Sequence, residues 1–353
     1  MIFSYALGKD ALPLLKELSL FGDWETGAFP MLLRGLSEGA CPRLEVIDHL
    51  PIPFRGHNAF DRCETREVVK ALVEMLEKRC ALGTCAGLKK LDGMWFDWTS
   101  PSDCIRILRA VLPTLEELPE LETWDFVVAR EFYAIGGPYL KALDVMLEDD
   151  LYALASKPEA FMRLQTLYLV VHNEDDHPTS EPAIRSFSAA LAQGAWPQLR
   201  CLSVQDGDLG EGRQVLIGAL IKRHGIRGGL EEFHFSVELT DKDVDALAEA
   251  FSKGCFTQLK KLSLAHNRTV TDLGAARLAK VLQHAPLLES LELNSTGMRN
   301  EGCRAVAHAV ASHCPAMKKL VFPREIGDEG LIKVQRTLRA ANRGTTLTAS
   351  YWW

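Results

Sequence analysis

Two short segments carry residue types that could bind a metal ion. The run HNEDDH, from His172 to His177, offers two imidazoles and three carboxylates, and Cys80 lies five residues before Cys85. Adjacent residues of an extended loop point in different directions, and no second Cys or His pair follows at zinc spacing. We interpret HNEDDH as a solvated loop, with a metal site as the alternative, and we predict no metal and no cofactor.

The common sequence patterns of catalytic sites do not occur in the chain. The sequence contains no GxSxG elbow, no Walker lysine loop, no GxGxxG turn and no HExxH helix. Each of these patterns supplies a nucleophile, a phosphate cradle or a metal, so their lack removes the common routes to hydrolysis and nucleotide chemistry. We predict that the protein is not an enzyme.

The aromatic run MWFDW, from Met94 to Trp98, has the composition of a binding anchor. Exposed Trp95 and Trp98 at the rim of a surface would be natural anchors for a protein partner. The alternative is that these rings fill a gap left by the irregular segment 51–80.

The elements that must position such residues belong to a repeat with the pattern LxxLxL. Its clearest copy is LKKLSLAHN, residues 259–267, and the steps between residues 230, 259, 288 and 317 are all 29 residues. The other copies are LKELSL (15–20), LEVIDH (44–49), LKKLDG (88–93), LETWDF (121–126), LKALDV (140–145), LQTLYL (164–169), LRCLSV (199–204), LEEFHF (230–235), LESLEL (288–293) and MKKLVF (317–322). A fixed period of this length predicts a solenoid of stacked strand–helix units.

Glycines mark both ends of the helical stretches that follow the predicted strands. Gly274, Gly302 and Gly330 lie in the first turn, where a missing side chain allows close packing of neighbouring helices. Gly39, Gly194 and Gly254 are predicted to end helices in the left-handed conformation, and Pro42, Pro197 and Pro315 then prevent the helix from continuing. Cys41, Cys255 and Cys314 fall in these turns, and we predict that they are structural.

These observations predict an α/β fold. We expect a horseshoe of about 11 repeats, with a parallel sheet on the concave face and helices on the convex face. Residues 1–353 are expected to form one domain: irregular repeats over 1–198 with an insertion near 51–80, regular repeats over 199–340, and a terminal strand or cap over 341–353.

The repeat resembles the ribonuclease-inhibitor-like class of leucine-rich repeats. That class combines LxxLxLxxN with a helix that begins at a glycine and a Pro-x-Leu return, and Asn267 and Asn294 lie at or near its asparagine position. The resemblance is strongest over residues 199–340. It implies a scaffold that recognises macromolecules, as in nuclease inhibitors, NOD-like receptors and the Ran GTPase-activating protein.

The residue between the second and third core positions of each strand should project from the concave face. This predicted column contains Ser19, Asp48, Asp92, Asp125, Asp144, Tyr168, Ser203, His234, Ser263, Glu292 and Val321. Its four successive Asp residues would repel one another unless a partner or solvent compensates. We predict that Asp48, Asp92, Asp125, Asp144, Tyr168, His234 and Glu292 contribute to a partner-binding surface; the alternative is an acidic face that only keeps the sheet soluble.

Composition limits the kinds of partner. The net charge of −7 is uneven, since residues 1–150 carry 16 basic against 25 acidic residues and residues 151–353 carry 24 against 22. We therefore expect a protein partner, basic if charge decides, and neither nucleic acid nor membrane. The odd count of nine cysteines favours reduced thiols in the cytoplasm, with the nucleus as the alternative.

The predicted function is that of a protein–protein interaction scaffold. The alternative is a regulatory protein that acts on a partner enzyme, such as a GTPase-activating protein of the Ran type. The basic residues Lys333, Arg336, Arg339 and Arg343 near the end of the chain count against it, because the Ran activator ends in an acidic tail.

Overall fold

The structure of the protein is a computed structural model. It describes residues 12–19, 28–48, 59–83, 87–91, 100–117, 126–145, 148–170, 181–205, 207, 209–227, 229–341 and 346–349. The chain divides into two compact units, the first formed by Met1–Asp144 with Glu159–Leu164 and the second by Val145–Pro158 with Gln165–Trp353. Strands alternate with helices in both, and where the helices Pro101–Val111 and Phe126–Ile135 follow each other the described residues between them contribute an isolated bridge at Glu117.

The first unit contains short strands and amphipathic helices. Its elements are β1 (Glu17–Ser19), α1 (Ala28–Ser37), β2 (Val46–Asp48), α2 (Ala59–Ala81), β3 (Lys90–Leu91), α3 (Pro101–Val111), α4 (Phe126–Ile135) and the beginning of β4 (Ala142–Val145). Strands β1, β2 and β3 are parallel and pair in that order. Consecutive helices pack side by side, so each buries its apolar stripe against the sheet and its neighbours.

The second unit continues the alternation with greater regularity. Its elements are α5 (Glu148–Ser156), β5 (Thr166–Val170), α6 (Glu181–Ala192), β6 (Cys201–Gln205), α7 (Gly212–Arg227), β7 (Glu232–Ser236), α8 (Asp241–Ser252), β8 (Lys261–Ser263), α9 (Asp272–Val281), β9 (Ser290–Glu292), α10 (Asn300–His313), β10 (Lys319–Phe322), α11 (Gly327–Ala340) and β11 (Thr346–Ala349). Three-residue or four-residue 3-10 helices lie at Pro158–Phe161, Leu282–His284 and Arg324–Ile326. Strands β5 to β11 pair in chain order.

The register confirms the predicted core positions. Leu167 of β5 is aligned with Leu202, Leu202 with Phe233, and the same row continues through Leu262 and Leu291 to Leu320. All six of these side chains are at most 2% exposed. Each buried apolar side chain stabilises the fold by roughly 1.5–3 kcal/mol, and every repeat shares this burial with its neighbours.

The predicted strand LETWDF at residues 121–126 lies outside the described residues except for Phe126, which is the first residue of helix α4. Lys90 forms an isolated parallel bridge with Glu117, and the N–H of Glu116 donates to the carbonyl of Lys89 at 2.8 Å. Leu115, which directly precedes these paired residues, is buried. The apolar run after Phe126 has the period of a helix.

The segment near residues 51–80, which was predicted to be an insertion, contains most of helix α2. Helix α2 runs over 23 residues, Ala59–Ala81, and contacts both α1 and α3. Its buried side chains Val69, Leu72, Val73 and Leu76 follow the three–four spacing of an amphipathic helix. The extra length of this repeat thus includes a longer helix in the same layer as its neighbours.

The turns that return the chain to the sheet agree with the sequence. Gly39, Gly194 and Gly254 have φ values of 100°, 82° and 82°, in the left-handed region that favours glycine. Buried arginines satisfy the carbonyl groups of two of these turns: Arg79 donates to Ala40 and Cys41, and Arg223 donates to Ala195, Trp196 and Leu199. Cys41, Cys255 and Cys314 are buried, as predicted.

Asn267 links two repeats from within the core. Its Nδ2 donates to the carbonyls of Phe235 at 2.7 Å and Leu264 at 2.9 Å, and its Oδ1 accepts from the N–H of Leu239 at 2.8 Å. In the following repeat this position belongs to buried Thr296, whose hydroxyl donates to the Leu293 carbonyl at 2.7 Å. Asn294 therefore lies two residues before the position that the resemblance suggested for it.

No helix in the part of the chain that the structure describes is both long and apolar enough to cross a membrane.

Candidate functional site: a polar patch on the open face of the sheet

The open face is the side of each strand that points away from the buried leucines. Side chains alternate along a strand, so Leu167 and Leu169 of β5 are buried while Tyr168 between them is 40% exposed. Backbone pairing holds each strand in register with the next. Residues on this face therefore have fixed spacing but are free to differ in type without disturbing the core.

The structure confirms the register of the predicted column in the second unit. Tyr168 is aligned with Ser203, Ser203 with His234, His234 with Ser263 and Ser263 with Glu292. His234 and Glu292 are half-buried, while Ser203 and Ser263 are buried between their longer neighbours. Larger and smaller side chains thus alternate across the face, which gives it a contoured surface.

The acidic part of the predicted column is only partly described. In the first unit Asp48 is aligned with Ser19, and Lys90 Nζ lies 3.8 Å from Asp48 Oδ1. Asp144 is exposed on β4. Asp92, Asp125, Trp95 and Trp98 lie outside the described residues.

A second row lies on the same open face and was missed by the sequence analysis. It aligns Thr166, Cys201, Glu232, Lys261, Ser290 and Lys319. Lys261 Nζ is 2.7 Å from Glu232 Oε1, and Lys319 Nζ is 2.6 Å from Glu292 Oε1. The sequence could have predicted this row. Side chains alternate along a strand, so the residue before the second core leucine points to the same side as the residue after it.

Three of these side chains form a compact cluster. Ligand atoms of Cys201, Glu232 and His234 all lie within 4.8 Å of one another, and His234 Nε2 is 3.8 Å from Glu232 Oε2. Burial, and then the nearby Glu232 carboxylate, raise the pKa of the Cys201 thiol to about 11. The thiol is therefore protonated at neutral pH, which is the opposite of what a cysteine nucleophile requires.

Charged residues of alternating sign line the start of the strands, and we call this row the charge ladder. In the first unit the ladder is Lys16, Glu45, Lys89, Glu116 and Lys141; in the second unit it is Arg200, Glu231, Lys260, Glu289 and Lys318. Glu231 is paired with Arg200 at 2.8 Å and with Lys260 at 2.7 Å. Backbone hydrogen bonds also link these residues: the N–H of Lys260 donates to the Glu231 carbonyl at 2.7 Å.

The fold is similar to those of several solved structures. A chain of the crystal structure of the Rad7 and Elc1 complex in yeast has a TM-score of 0.55 and 16% identity, with 95% of this chain and 81% of that chain covered. The leucine-rich-repeat-containing protein LegL7 from Legionella pneumophila has a TM-score of 0.41 and 12% identity over 94% of this chain and 90% of its own. An internalin from Listeria monocytogenes has a TM-score of 0.32 and 14% identity, with coverage of 80% and 83%.

No protein-family model matches the sequence, and no curated protein matches it. The strand–helix repeat and the likeness to solved structures show the fold: the chain has an α/β fold of the leucine-rich-repeat type. At identities near 16% the likeness concerns the fold alone.

Proposed function

We propose that the protein is a protein–protein interaction scaffold that binds a macromolecular partner through the open face of its sheet. The observation that carries the proposal is Tyr168, an aromatic side chain that is 40% exposed in the middle of a rigid, otherwise polar strand surface. Tyrosine combines a large apolar ring with a hydroxyl and loses little conformational entropy on binding, so it is enriched at the energetic centres of interfaces.

The surroundings of Tyr168 support this role. The buried serines Ser203 and Ser263 leave space between longer side chains, and the charged neighbours Glu232, Lys261 and Glu292 supply a polar rim. An apolar anchor within such a rim is the usual anatomy of a protein interface. The solved structure of Rad7 with Elc1, to which the chain is similar, is itself a complex of two proteins.

Charge supports a basic partner for the first unit. Residues 1–150 carry 16 basic against 25 acidic residues, and Asp48 and Asp144 both lie on strands of that unit. Complementary charge raises association rates and selects partners more than it raises affinity. Asp92, Asp125, Trp95 and Trp98 stay predicted contributors to this surface.

The assignment to the ribonuclease-inhibitor-like subclass and the cellular location of the protein are also proposals. Three 29-residue steps and the role of Asn267 support the ribonuclease-inhibitor-like subclass. Reduced cysteines support a place in the cytoplasm or nucleus, and the free thiols of the structure are Cys41, Cys80, Cys104, Cys201, Cys255, Cys303 and Cys314. The protonated thiol of Cys201 supports a binding role in preference to a catalytic one.

Affinity capture from extracts of the native cell tests the proposal when matched variants are used. We expect Tyr168→Ala to lose a partner that the wild type captures, and to lower affinity for that purified partner at least about tenfold. The control is Tyr152→Ala, because Tyr152 is similarly exposed but lies on helix α5. Identical capture by both variants would contradict the proposal, and so would stimulation of GTP hydrolysis in a turnover assay with purified GTPases.

A further inference from the structure

The cluster of Cys201, Glu232 and His234 contains three different kinds of metal ligand. Sγ of Cys201, a carboxylate oxygen of Glu232 and an imidazole nitrogen of His234 lie within 4.8 Å of one another on the open face of the second unit. Each residue belongs to a paired strand, Cys201 to β6 and the other two to β7. Ligands on paired strands are held more rigidly than ligands on loops.

The strand register explains why the three side chains converge. Cys201 is directly aligned with Glu232, and His234 follows two residues later on the same side of β7. The residue aligned with His234 is Ser203, a short side chain that is 1% exposed. The Ser203 hydroxyl accepts a hydrogen bond from Gln205 Nε2 at 2.6 Å, so it is already paired and the sulfur, carboxylate and imidazole form the ligand set.

We propose that Cys201, Glu232 and His234 form a binding site for Zn²⁺. Zinc prefers a tetrahedral set of sulfur, nitrogen and oxygen ligands, at about 2.3 Å for sulfur and about 2.0–2.2 Å for nitrogen and oxygen. Those bond lengths place neighbouring ligand atoms roughly 3.3–3.8 Å apart. Small side-chain rotations bring atoms within 4.8 Å of one another to that spacing. Three protein ligands leave the fourth position for water or for a group of a bound partner.

Lys261 orients the carboxylate for this role. Its Nζ contacts Glu232 Oε1 at 2.7 Å, while Oε2 of the same carboxylate lies 3.8 Å from His234 Nε2. One oxygen is therefore fixed by the ammonium group and the other faces the imidazole, where the ion would lie. Hydrogen bonds from outside the ligand set commonly fix metal-binding carboxylates in this way.

Binding must change the protonation state of the cysteine. The S–H bond breaks, the proton passes to water, and the sulfur electron pair forms the bond to zinc, so each bound ion releases one proton. The two charges of Zn²⁺ offset the thiolate and the Glu232 carboxylate, while His234 binds as neutral imidazole. A buried thiolate that would be costly alone is thus compensated by the ion.

The test uses the full chain, freed of metal with a chelator and kept reduced with a reagent that contains no thiol. Co²⁺ serves as the probe because Zn²⁺ has a filled d shell and no visible spectrum. We expect about one Co²⁺ per chain, a thiolate-to-cobalt charge-transfer band, and displacement of that band by Zn²⁺. Cys201→Ser should abolish the band, and His234→Ala should weaken binding at least about tenfold.

Cys80→Ser is the matched control, because Cys80 is an exposed thiol on α2 that should bind no ion specifically. Its band should equal that of the wild type. Since His234 is half-buried and its only described ion pair is the 3.8 Å contact to Glu232, His234→Ala should keep the unfolding midpoint of the metal-free wild type. A wild-type chain without the band, or a band that survives Cys201→Ser, would overturn the proposal. Either result leaves the protein-binding function of Tyr168 untouched.

Discussion

Asp272 Oδ1 accepts a hydrogen bond at 2.9 Å from the backbone N–H of Gly302, which lies 30 residues later in the next repeat. The same oxygen accepts from the N–H of Arg299 at 2.7 Å. Asp241 contacts Gly274 in the same way one repeat earlier. Each aspartate lies in the first turn of the helix of its own repeat and also caps the helix of the following repeat. It accepts hydrogen bonds from backbone N–H groups that the start of a helix otherwise leaves unpaired.

Gly302→Ala should destabilise the protein by about 1–3 kcal/mol. A Cβ atom at this position would lie 2.5 Å from Asp272 Oδ1 and 2.8 Å from Ala275 Cβ, so two packed helices would have to separate. The measurement is the urea midpoint of unfolding by circular dichroism. Gly218→Ala on helix α7 is the control, because nothing lies within 4 Å of its Cβ position and alanine should raise stability by about 0.5–1 kcal/mol.

Asn267→Ala should be more damaging than most surface substitutions, at roughly 2–4 kcal/mol. The amide is fully buried, and its loss leaves the carbonyl of Phe235 and the N–H of Leu239 without their side-chain partner. Denaturant unfolding of the variant measures the effect. Asn294→Ala, two positions before the equivalent place in the next repeat, should change the midpoint far less; equal losses would contradict this interpretation.

Arg223→Met, which keeps an unbranched side chain but removes the guanidinium, should destabilise by roughly 2–4 kcal/mol. The buried guanidinium donates to the carbonyls of Ala195, Trp196 and Leu199 at 3.0, 3.1 and 3.3 Å, and methionine donates to none of them. Thermal and urea unfolding would both report the change. Lys222→Met, at the adjacent exposed position of the same helix, should stay within about 0.5 kcal/mol of wild type.

Acid should weaken the charge ladder. Hydrogen bonds from Lys16 and Lys89 lower the pKa of Glu45 to about 2 from an ordinary value of 4.5. A folded-state pKa below the unfolded value means that the stabilisation is complete above about pH 4.5 and is lost as the pH falls toward 2. The pKa values of Glu116, Glu231 and Glu289 are lowered in the same direction by their lysine partners.

The expected result is a urea midpoint that falls between pH 5 and pH 3 in the wild type and falls less in Glu45→Gln, which lacks the pairing at every pH. Direct titration of the Glu45 carboxylate by NMR would give its pKa. Glu159→Gln, at an exposed position outside the ladder, should follow the wild-type curve. A Glu45 that titrates near 4.5 would contradict the prediction.

The repeat period was enough to predict the core of the second unit. Leu262 and Leu291 could be assigned because a spacing of three and two residues recurs every 29, and burial of the same side in each repeat fixes the strand register. The left-handed glycines followed from the same reasoning, since Gly194 stands just before a proline at the end of an apolar helix.

Other features could not be predicted from the sequence. They depend on long-range backbone pairing or on side-chain geometry, and a sequence pattern contains neither. Glu117 forms an isolated parallel bridge with Lys90, a long-range backbone pairing that the linear pattern does not contain. Cys201 and His234 lie close together because their side chains, on two neighbouring strands, turn toward each other. Neither residue is unusual in its own repeat. The pairing of Arg223 with a turn 24–28 residues earlier is equally invisible in a linear motif.

The alternating signs of the charge ladder impose a parity rule on the repeat array. Excising one repeat, residues 259–287, would bring Glu231 beside Glu289, whereas excising two, residues 259–316, would bring Glu231 beside Lys318. Like charges on neighbouring strands repel and opposite charges attract. Repeats of this array should therefore be gained or lost most easily in pairs, and designed variants of altered length should keep that even count.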